Sequence, residues 1–248
     1  MDPGRERPTP PSGPLWLEVT GFPGSDGWRA GFTTRRAGGE LAGVLPLLGW
    51  SGLPAFRLSQ VHGTRMVEVG PPDDPRLPPR QGDGLLTARR GVILTVASAD
   101  CVPVVLFDPE HSAGAVLHAG WRGTRSRIAR EGVEALHRRF GSRPESLRAL
   151  LGPAIGRCCY RVGEEVVEEF SAAGYSLDSL FHREEGNGAH LDLSGANRLD
   201  LCDAGVDSAS IQSVGWCTHC LAGLFPSYRR EGSGTSRILT FLGSSPAS

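Results

Sequence analysis

Lysine is absent from this chain of 248 residues, and all 26 basic side chains are arginine. That absence excludes Schiff-base chemistry through a lysine amine and any lysine clamp on phosphate. An anion can be held only by arginine, by backbone N–H groups or through a metal. Charge imbalance is also missing. The 26 basic and 27 acidic residues leave a formal net charge of -1, which excludes bulk attraction to nucleic acid or an anionic membrane. No apolar run approaches the roughly 18 residues of a membrane-spanning helix. The start lacks an apolar segment too: Met1 to Pro14 is polar and proline-rich, which predicts a disordered tail over 1–14 rather than a signal peptide. The six cysteines include one adjacent pair, and their spacing suggests no disulfide framework. Reduced thiols and a cytoplasmic location are therefore expected.

What is present suffices for one core. Hydrophobic residues make up 39% of the chain, no internal repeat is visible, and a single domain over 15–243 with a tail over 244–248 is expected. Trp16–Val19 reads as a first strand. Phe56–Val61 and Arg65–Val69 read as strands flanking the turn His62-Gly63-Thr64. Pro71 to Gln81, with five prolines and two aspartates, is a loop. The unbroken apolar runs Val92–Ala97, Val102–Phe107 and Ala113–Leu117 suit buried central strands. From Thr124 to Phe140 the period becomes helical, with Gly141 where a C-terminal cap belongs. Glu164–Phe170 is a second helix, and a third runs from a Ser194 cap to Ala204. Ile238–Leu242 is a final strand. Strands and helices mix without strict alternation, which argues against a doubly wound sheet.

Three stretches carry the candidate chemistry: Gln60-Val61-His62-Gly63-Thr64, Ser98-Ala99-Asp100-Cys101, and His118-Ala119-Gly120-Trp121-Arg122-Gly123. Each sits where an expected strand ends, and neighbouring strand ends can converge on one site. His62, Cys101 and His118 together make a set of nitrogen and sulfur donors that suits zinc and leaves the fourth tetrahedral position open. Taken singly, each has a plainer reading as a turn histidine, a buried thiol or a core histidine. Cys217-Thr218-His219-Cys220 is a second candidate, for metal or redox work or simply a polar loop, and Cys158-Cys159 reads as packing. Arg35, Arg36, Arg122, Arg229 and Arg230 lie near expected turns, where adjacent glycine lets backbone approach an anion; the plainer reading is solvated charge.

Taken together, these stretches resemble the bacterial laccase-domain family, also called polyphenol oxidoreductase-like, whose members act as purine nucleoside phosphorylases with adenosine deaminase activity. Further motifs carry the resemblance: Gly82-Asp83-Gly84-Leu85-Leu86-Thr87, Leu151-Gly152-Pro153-Ala154-Ile155-Gly156, Cys159-Tyr160-Arg161-Val162-Gly163 and Ser227-Tyr228-Arg229-Arg230. The resemblance implies an α+β fold, a layered α/β/β/α sandwich with mixed sheets, similar to a cysteine-hydrolase-like deamidase toxin domain. It implies His62, Cys101 and His118 as ligands of Zn²⁺, with Cu²⁺ the alternative. Asp83 or Asp100 would carry protons. Gln60 and the arginines Arg35 or Arg36, Arg122 and Arg229 would bind substrate and phosphate. One extra residue between Thr34 and Gly38 leaves Arg35 and Arg36 equally matched to the family's Thr-Arg-x-Gly-Gly motif. The segment Glu40 to Ala55 is shorter and more apolar than in relatives, a departure that bears on the nucleoside pocket.

The expected function is phosphorolysis of adenosine, inosine, guanosine or methylthioadenosine by a monomer or homodimer, with deamination of adenosine at the same site. Two rivals use the same residues. A four-copper oxidase would need a blue-copper site and a histidine-rich cluster, on the order of ten histidines, and the chain has seven. A metal-free hydrolase would use Cys101 as nucleophile and His118 as base. A purely binding role has no hydrophobic or basic surface in the sequence to support it.

Overall fold

The computed structural model describes residues 13–19, 21–22, 27–184 and 188–246. In chain order its strands are β1 (Trp16–Glu18), β2 (Trp28–Thr33), β3 (Ala55–Phe56), β4 (Met66–Glu68), β5 (Gly84–Thr87), β6 (Ile93–Ser98), β7 (Val102–Asp108) and β8 (Ala113–Ala119). They continue with β9 (Arg148–Leu151), β10 (Arg161–Val162), β11 (Phe181–Glu184), β12 (Gly188–Leu191), β13 (Ile211–Ser213) and β14 (Ile238–Ser244). The helices are α1 (Trp121–Arg125), α2 (Ile128–Phe140), α3 (Glu164–Ala172), α4 (Leu177–Leu180), α5 (Leu193–Asp203) and α6 (Tyr228–Glu231).

One sheet has the order β1-β2-β14-β6-β3, and a second has the order β13-β9-β7-β8-β5-β4. A small third sheet, β10-β12-β11, lies to the side. Both large sheets are mixed: β3 runs parallel to β6, β4 to β5 and β13 to β9, and the remaining pairs are antiparallel. The two face each other across an apolar layer. Phe32, Leu94 and Leu242 from one meet Val105, Phe107, Val116 and Leu150 from the other, and the Trp28 and Phe107 rings stand 5.7 Å apart. The opposite face of the second sheet, with Val104, Leu106 and Leu117, packs on Ile128, Val133 and Leu136 of α2. Every residue of β7 and β8 is buried, which is why their sequences run apolar without alternation.

Among the described residues, the outer layer on the first sheet is not α-helical, a departure from the expected α/β/β/α order. Short 3₁₀ turns at Arg35–Ala37 and Leu45–Leu48 cover it, and Leu41, Val44, Leu48 and Trp50 pack on Ile93 and Phe241. The shortened 40–55 segment is thus a cover for the core.

Local expectations need four further corrections. The strand expected over Phe56–Val61 shrinks to Ala55–Phe56; beyond it only Ser59 bridges, to Gln81. The helix expected over Thr124–Phe140 breaks into α1 and α2 at Arg127, whose φ of 64° no continuous helix allows. Helix α5 is capped by Asp192, which accepts from the Gly195 N–H at 2.8 Å, and not by Ser194. Strand β14 runs on to Ser244, one residue into the expected tail. Most of the tail expected over 1–14 falls outside the described residues. No helix among the described residues is long and apolar enough to cross a membrane.

Candidate metal centre and active site

His62, Cys101 and His118 come from three places that the second sheet gathers. His118 is the penultimate residue of β8, Cys101 immediately precedes the antiparallel β7, and His62 sits in the turn before β4. One ligand atom from each lies within 4.8 Å of the others, and the two imidazoles meet edge to face with centroids 4.8 Å apart. Two left-handed backbone conformations make this possible, His62 at φ 59° and Asp100 at φ 95°. Strain at non-glycine residues of this kind clusters at functional sites. Gly120 completes the approach. A Cβ there would stand 2.7 Å from Nδ1 of His62 and 3.0 Å from Sγ of Cys101, so only glycine fits.

Asp83, fully buried, organises the turn. Its carboxylate accepts the backbone N–H groups of Val61 (3.2 Å), His62 (2.9 Å) and Gly63 (2.7 Å). It also faces Nδ1 of His118 at 3.0 Å. A carboxylate can only accept, so Nδ1 carries the proton and Nε2 is left as the donor atom for a metal. Burial alone would raise the Asp83 pKa, but the hydrogen bonds from His118 and the Gly63 N–H outweigh it and hold the group below the usual range. Burial likewise pushes the Cys101 thiol up, and its hydrogen bonds to His118 and His62 more than reverse this, bringing it down to about 7. Burial pushes His118 down, but Asp83 and then Cys101 overcome this and lift it to about 9. Asp83, His118 and Cys101 thus interact as one electrostatic unit.

The trio opens on a cleft of about 550 Å³, within the roughly 300–1,000 Å³ usual for small-molecule sites. Ser98, Ala99, Tyr228 and Arg237 also line it. Gln60 lines it as well, but its amide is committed: Nε2 donates to the Ala97 carbonyl and Oε1 accepts from the Ala97 N–H, both at 2.8 Å. Asp100 accepts from the Thr218 hydroxyl (2.6 Å) and the Arg229 N–H (2.7 Å), which ties the start of α6 to the Cys101 turn. Arg229 also reaches the Arg161 carbonyl (2.7 Å) and lies over the Tyr160 ring. Tyr160 is pushed up to about 12, by burial first and then by Cys101 and Asp100, with Arg229 and Arg122 opposing. Tyr160, Arg122 and Arg229 are not among the residues that line the cleft.

Arg35 and Arg36 do not line the cleft. Arg35 donates to the Ala222 (2.9 Å) and Phe225 (2.8 Å) carbonyls and pairs with Glu231. Arg36 donates to the Gly13 carbonyl at 2.6 Å. The adjacent Gly39 instead permits a close backbone approach, since a Cβ there would stand 3.3 Å from the Arg237 N. The motif therefore seats the arginine that does line the cleft. Sequence reasoning missed the roles of Arg237, Tyr228 and Tyr160. Tyr160 and Tyr228 stand inside conspicuous motifs, whereas Arg237 follows a plain Gly-Thr-Ser stretch with no signal. Cys158 and Cys159 are not core packing; they lie at the surface beside Cys217 and Cys220.

Residues 46–245 match the family described as multi-copper polyphenol oxidoreductase laccase. An adenosine deaminase from an unknown prokaryotic organism is 42% identical over 159 residues, which are 64% of this chain and 60% of that protein. A purine nucleoside phosphorylase of Deinococcus radiodurans is 40% identical over 196 residues, 79% of this chain and 72% of that one. The match to the first relative thus spans about three fifths of its length. Among solved structures, YlmD from Geobacillus stearothermophilus has a TM-score of 0.84 at 29% identity, covering 94% of this chain and 97% of that chain. The hypothetical protein YfiH of Bacillus licheniformis has a TM-score of 0.86 at 30% identity, with the same coverage.

Proposed function

The chain belongs to the multi-copper polyphenol oxidoreductase laccase family, and from that premise we propose that it is a metal-dependent purine nucleoside phosphorylase that also deaminates adenosine. One observation carries the reading: His62, Cys101 and His118 converge within 4.8 Å at the wall of a cleft large enough for a nucleoside. Relatives named adenosine deaminase and purine nucleoside phosphorylase, at 42% and 40% identity, support it. The substrates would be adenosine, inosine, guanosine or methylthioadenosine with phosphate, in the cytoplasm.

Two imidazole nitrogens and one thiolate fit zinc with a coordination place left open, and Gly120 leaves the space beside His62 and Cys101 that a Cβ would fill. Copper is the alternative. When bound, the metal supplies electrophilic stabilisation of negative charge and lowers the pKa of a water to about 7. The residues of the chain do the rest. Phosphorolysis forms the bond from a phosphate oxygen to C1′ as the bond from C1′ to the base nitrogen breaks, and the base departs with the electron pair and takes up a proton. The transition state has oxocarbenium character, so a positioned anion matters most. Arg237, the arginine that lines the cleft, would hold it; Arg122 and Arg229, like Arg35 and Arg36, are not among the lining residues. Asp83 and Asp100, with their oxygens committed to hydrogen bonds, would act by holding His118, the 61–63 turn and α6 in place. Tyr160 stays protonated and packs under the Arg229 guanidinium.

The test is purified protein with adenosine, with and without phosphate. Phosphate-dependent adenine release is expected, with inosine appearing in both tubes; equal adenine in the two tubes would reject phosphorolysis.

A second reading has its own observation. Cys101, His118 and Asp83 stand in line as nucleophile, base and orienting carboxylate, with the thiol lowered to about 7, as a cysteine hydrolase would need. The expected likeness to a cysteine-hydrolase-like deamidase domain belongs to this reading. A second imidazole, His62, on the same sulfur has no place in such a triad, which favours the metal. Stoichiometric alkylation of Cys101 in zinc-loaded protein would reverse that preference.

A further inference from the structure

Outside the cleft, the largest group of ligating side chains among the described residues is a set of four thiols. Cys158 and Cys159 lie in the turn after β9, and Cys217 and Cys220 in the turn after β13. Backbone pairing zips the two turns together. The Ala154 N–H donates to the Trp216 carbonyl at 3.2 Å, and the Thr218 N–H donates to the Ala154 carbonyl at 3.0 Å. All four Sγ atoms lie within 4.8 Å of one another. Sγ of Cys220 is 3.7 Å from that of Cys158 and 3.4 Å from that of Cys159.

These separations discriminate between two kinds of bonding. Disulfides join sulfurs in pairs at about 2.05 Å, whereas here one sulfur is approached by two others at longer range. Four thiolates at the usual Zn–S length of about 2.3 Å mark a tetrahedron with edges of about 3.8 Å. The observed 3.4 and 3.7 Å lie close to that edge. The surroundings of Cys217 also suit a thiolate. The Gly156 N–H donates to Sγ of Cys217 at 3.2 Å, the kind of outer hydrogen bond that supports a ligand. A Cβ on Gly156 would stand 3.2 Å from Sγ of Cys158 and 3.3 Å from Cβ of Cys217, so glycine lets the thiols close in. Arg230 donates to the carbonyls of Thr218 (2.9 Å) and His219, which brings positive charge to the turn between Cys217 and Cys220.

We propose that Cys158, Cys159, Cys217 and Cys220 form a second metal site, a closed four-thiolate knot for Zn²⁺. Binding converts four thiols to thiolates and releases four protons. With all four corners filled by protein the site has no place for substrate, so its role is structural. It pins two turns that support the cleft: Tyr160 follows Cys159, and Thr218, which follows Cys217, donates to Asp100.

The test compares metal content in zinc-loaded protein, a His62→Ala/Cys101→Ser variant that lacks two of the three donors of the cleft, and a Cys217→Ser/Cys220→Ser variant. Two zinc ions per chain are expected in the first and one in each variant. Cobalt in the His62→Ala/Cys101→Ser variant should give the intense sulfur-to-metal absorption of a tetrahedral tetrathiolate. Should the Cys217→Ser/Cys220→Ser protein fail to fold, the zinc content and cobalt spectrum of the other variant decide alone. A metal-free His62→Ala/Cys101→Ser protein, a cobalt spectrum without thiolate bands, or peptide mapping that finds these cysteines as disulfides would overturn the proposal. None of these readouts depends on nucleoside turnover.

Discussion

The Nδ1 proton of His118 points at Asp83, and the other partners of that carboxylate are the N–H groups of Val61, His62 and Gly63. Every group facing it is a donor. Asp83→Asn would turn an amide N–H toward one of these donors and release both the His118 tautomer and the 61–63 turn. Zinc affinity should fall about 10–100-fold, as when an outer-shell partner is removed, in competition with a chromogenic chelator; unchanged affinity would refute the role given to Asp83. Gly120→Ala should act more locally. Its methyl collides with His62 and Cys101, so turnover should drop on the order of 100-fold, more than the about 1–3 kcal/mol of overpacking read from thermal unfolding of the metal-free protein would explain. The convergence of His62, Cys101 and His118 is legible only when the three stretches are read together with the family resemblance, since each residue alone reads as a turn histidine, a buried thiol or a core histidine. The service of Asp83 is not, since its partners are mostly backbone N–H groups that carry no residue identity. Arg35 misleads for the opposite reason: a conspicuous motif directs its charge to Glu231 and carbonyls instead of to a ligand.

Helix α2 shows how magnitudes settle a substitution at the scale of an element. Gly132 sits in its middle, where alanine would ordinarily gain about 1 kcal/mol of helix propensity. A Cβ there would meet Leu117 and Leu106 of the sheet below, at 2.5 and 3.1 Å. Overpacking costs about 1–3 kcal/mol, so Gly132→Ala should destabilise, or at best break even. Urea unfolding of the two proteins reads the difference, and a clear gain in stability would show that the sheet yields more easily than its burial suggests. Elements buried on both sides were the most legible. Strands β6, β7 and β8 advertise themselves as apolar runs. Strand β2 was hidden because Arg29 and Gly31 interrupt its pattern. The break before α2 was hidden because its cause is tertiary: Arg127 turns back to pair with Asp200 and to lie 3.6 Å over the Tyr175 ring. No local period can report a partner 73 residues away.

At the scale of the whole molecule, the first sheet and the arm around α6 are joined by Glu231, which pairs with Arg35 just after β2 and with its neighbour Arg230. Arg35 and Arg230 both donate to the Phe225 carbonyl as well, so one carboxylate locks two ends of the chain to the loop between them. The hydrogen bond from Arg35, followed by that from Arg230, outweighs partial burial and lowers Glu231 from 4.5 to about 2. A folded-state pKa below the unfolded one means that the contribution is fully present above about 4.5 and is lost as the pH falls toward 2. Glu231→Gln removes the charge but keeps the shape. The variant should therefore be less stable than the parent at pH 6, and the gap should narrow as the pH drops below 4.5, when guanidinium unfolding of both is followed from pH 6 to pH 3. A gap that stays constant over that range would mean that packing, and not the charge of Glu231, joins α6 to the sheet. In that case the cleft wall built on α6 should hold its geometry in acid, and phosphate-dependent turnover of the two proteins should fall in parallel.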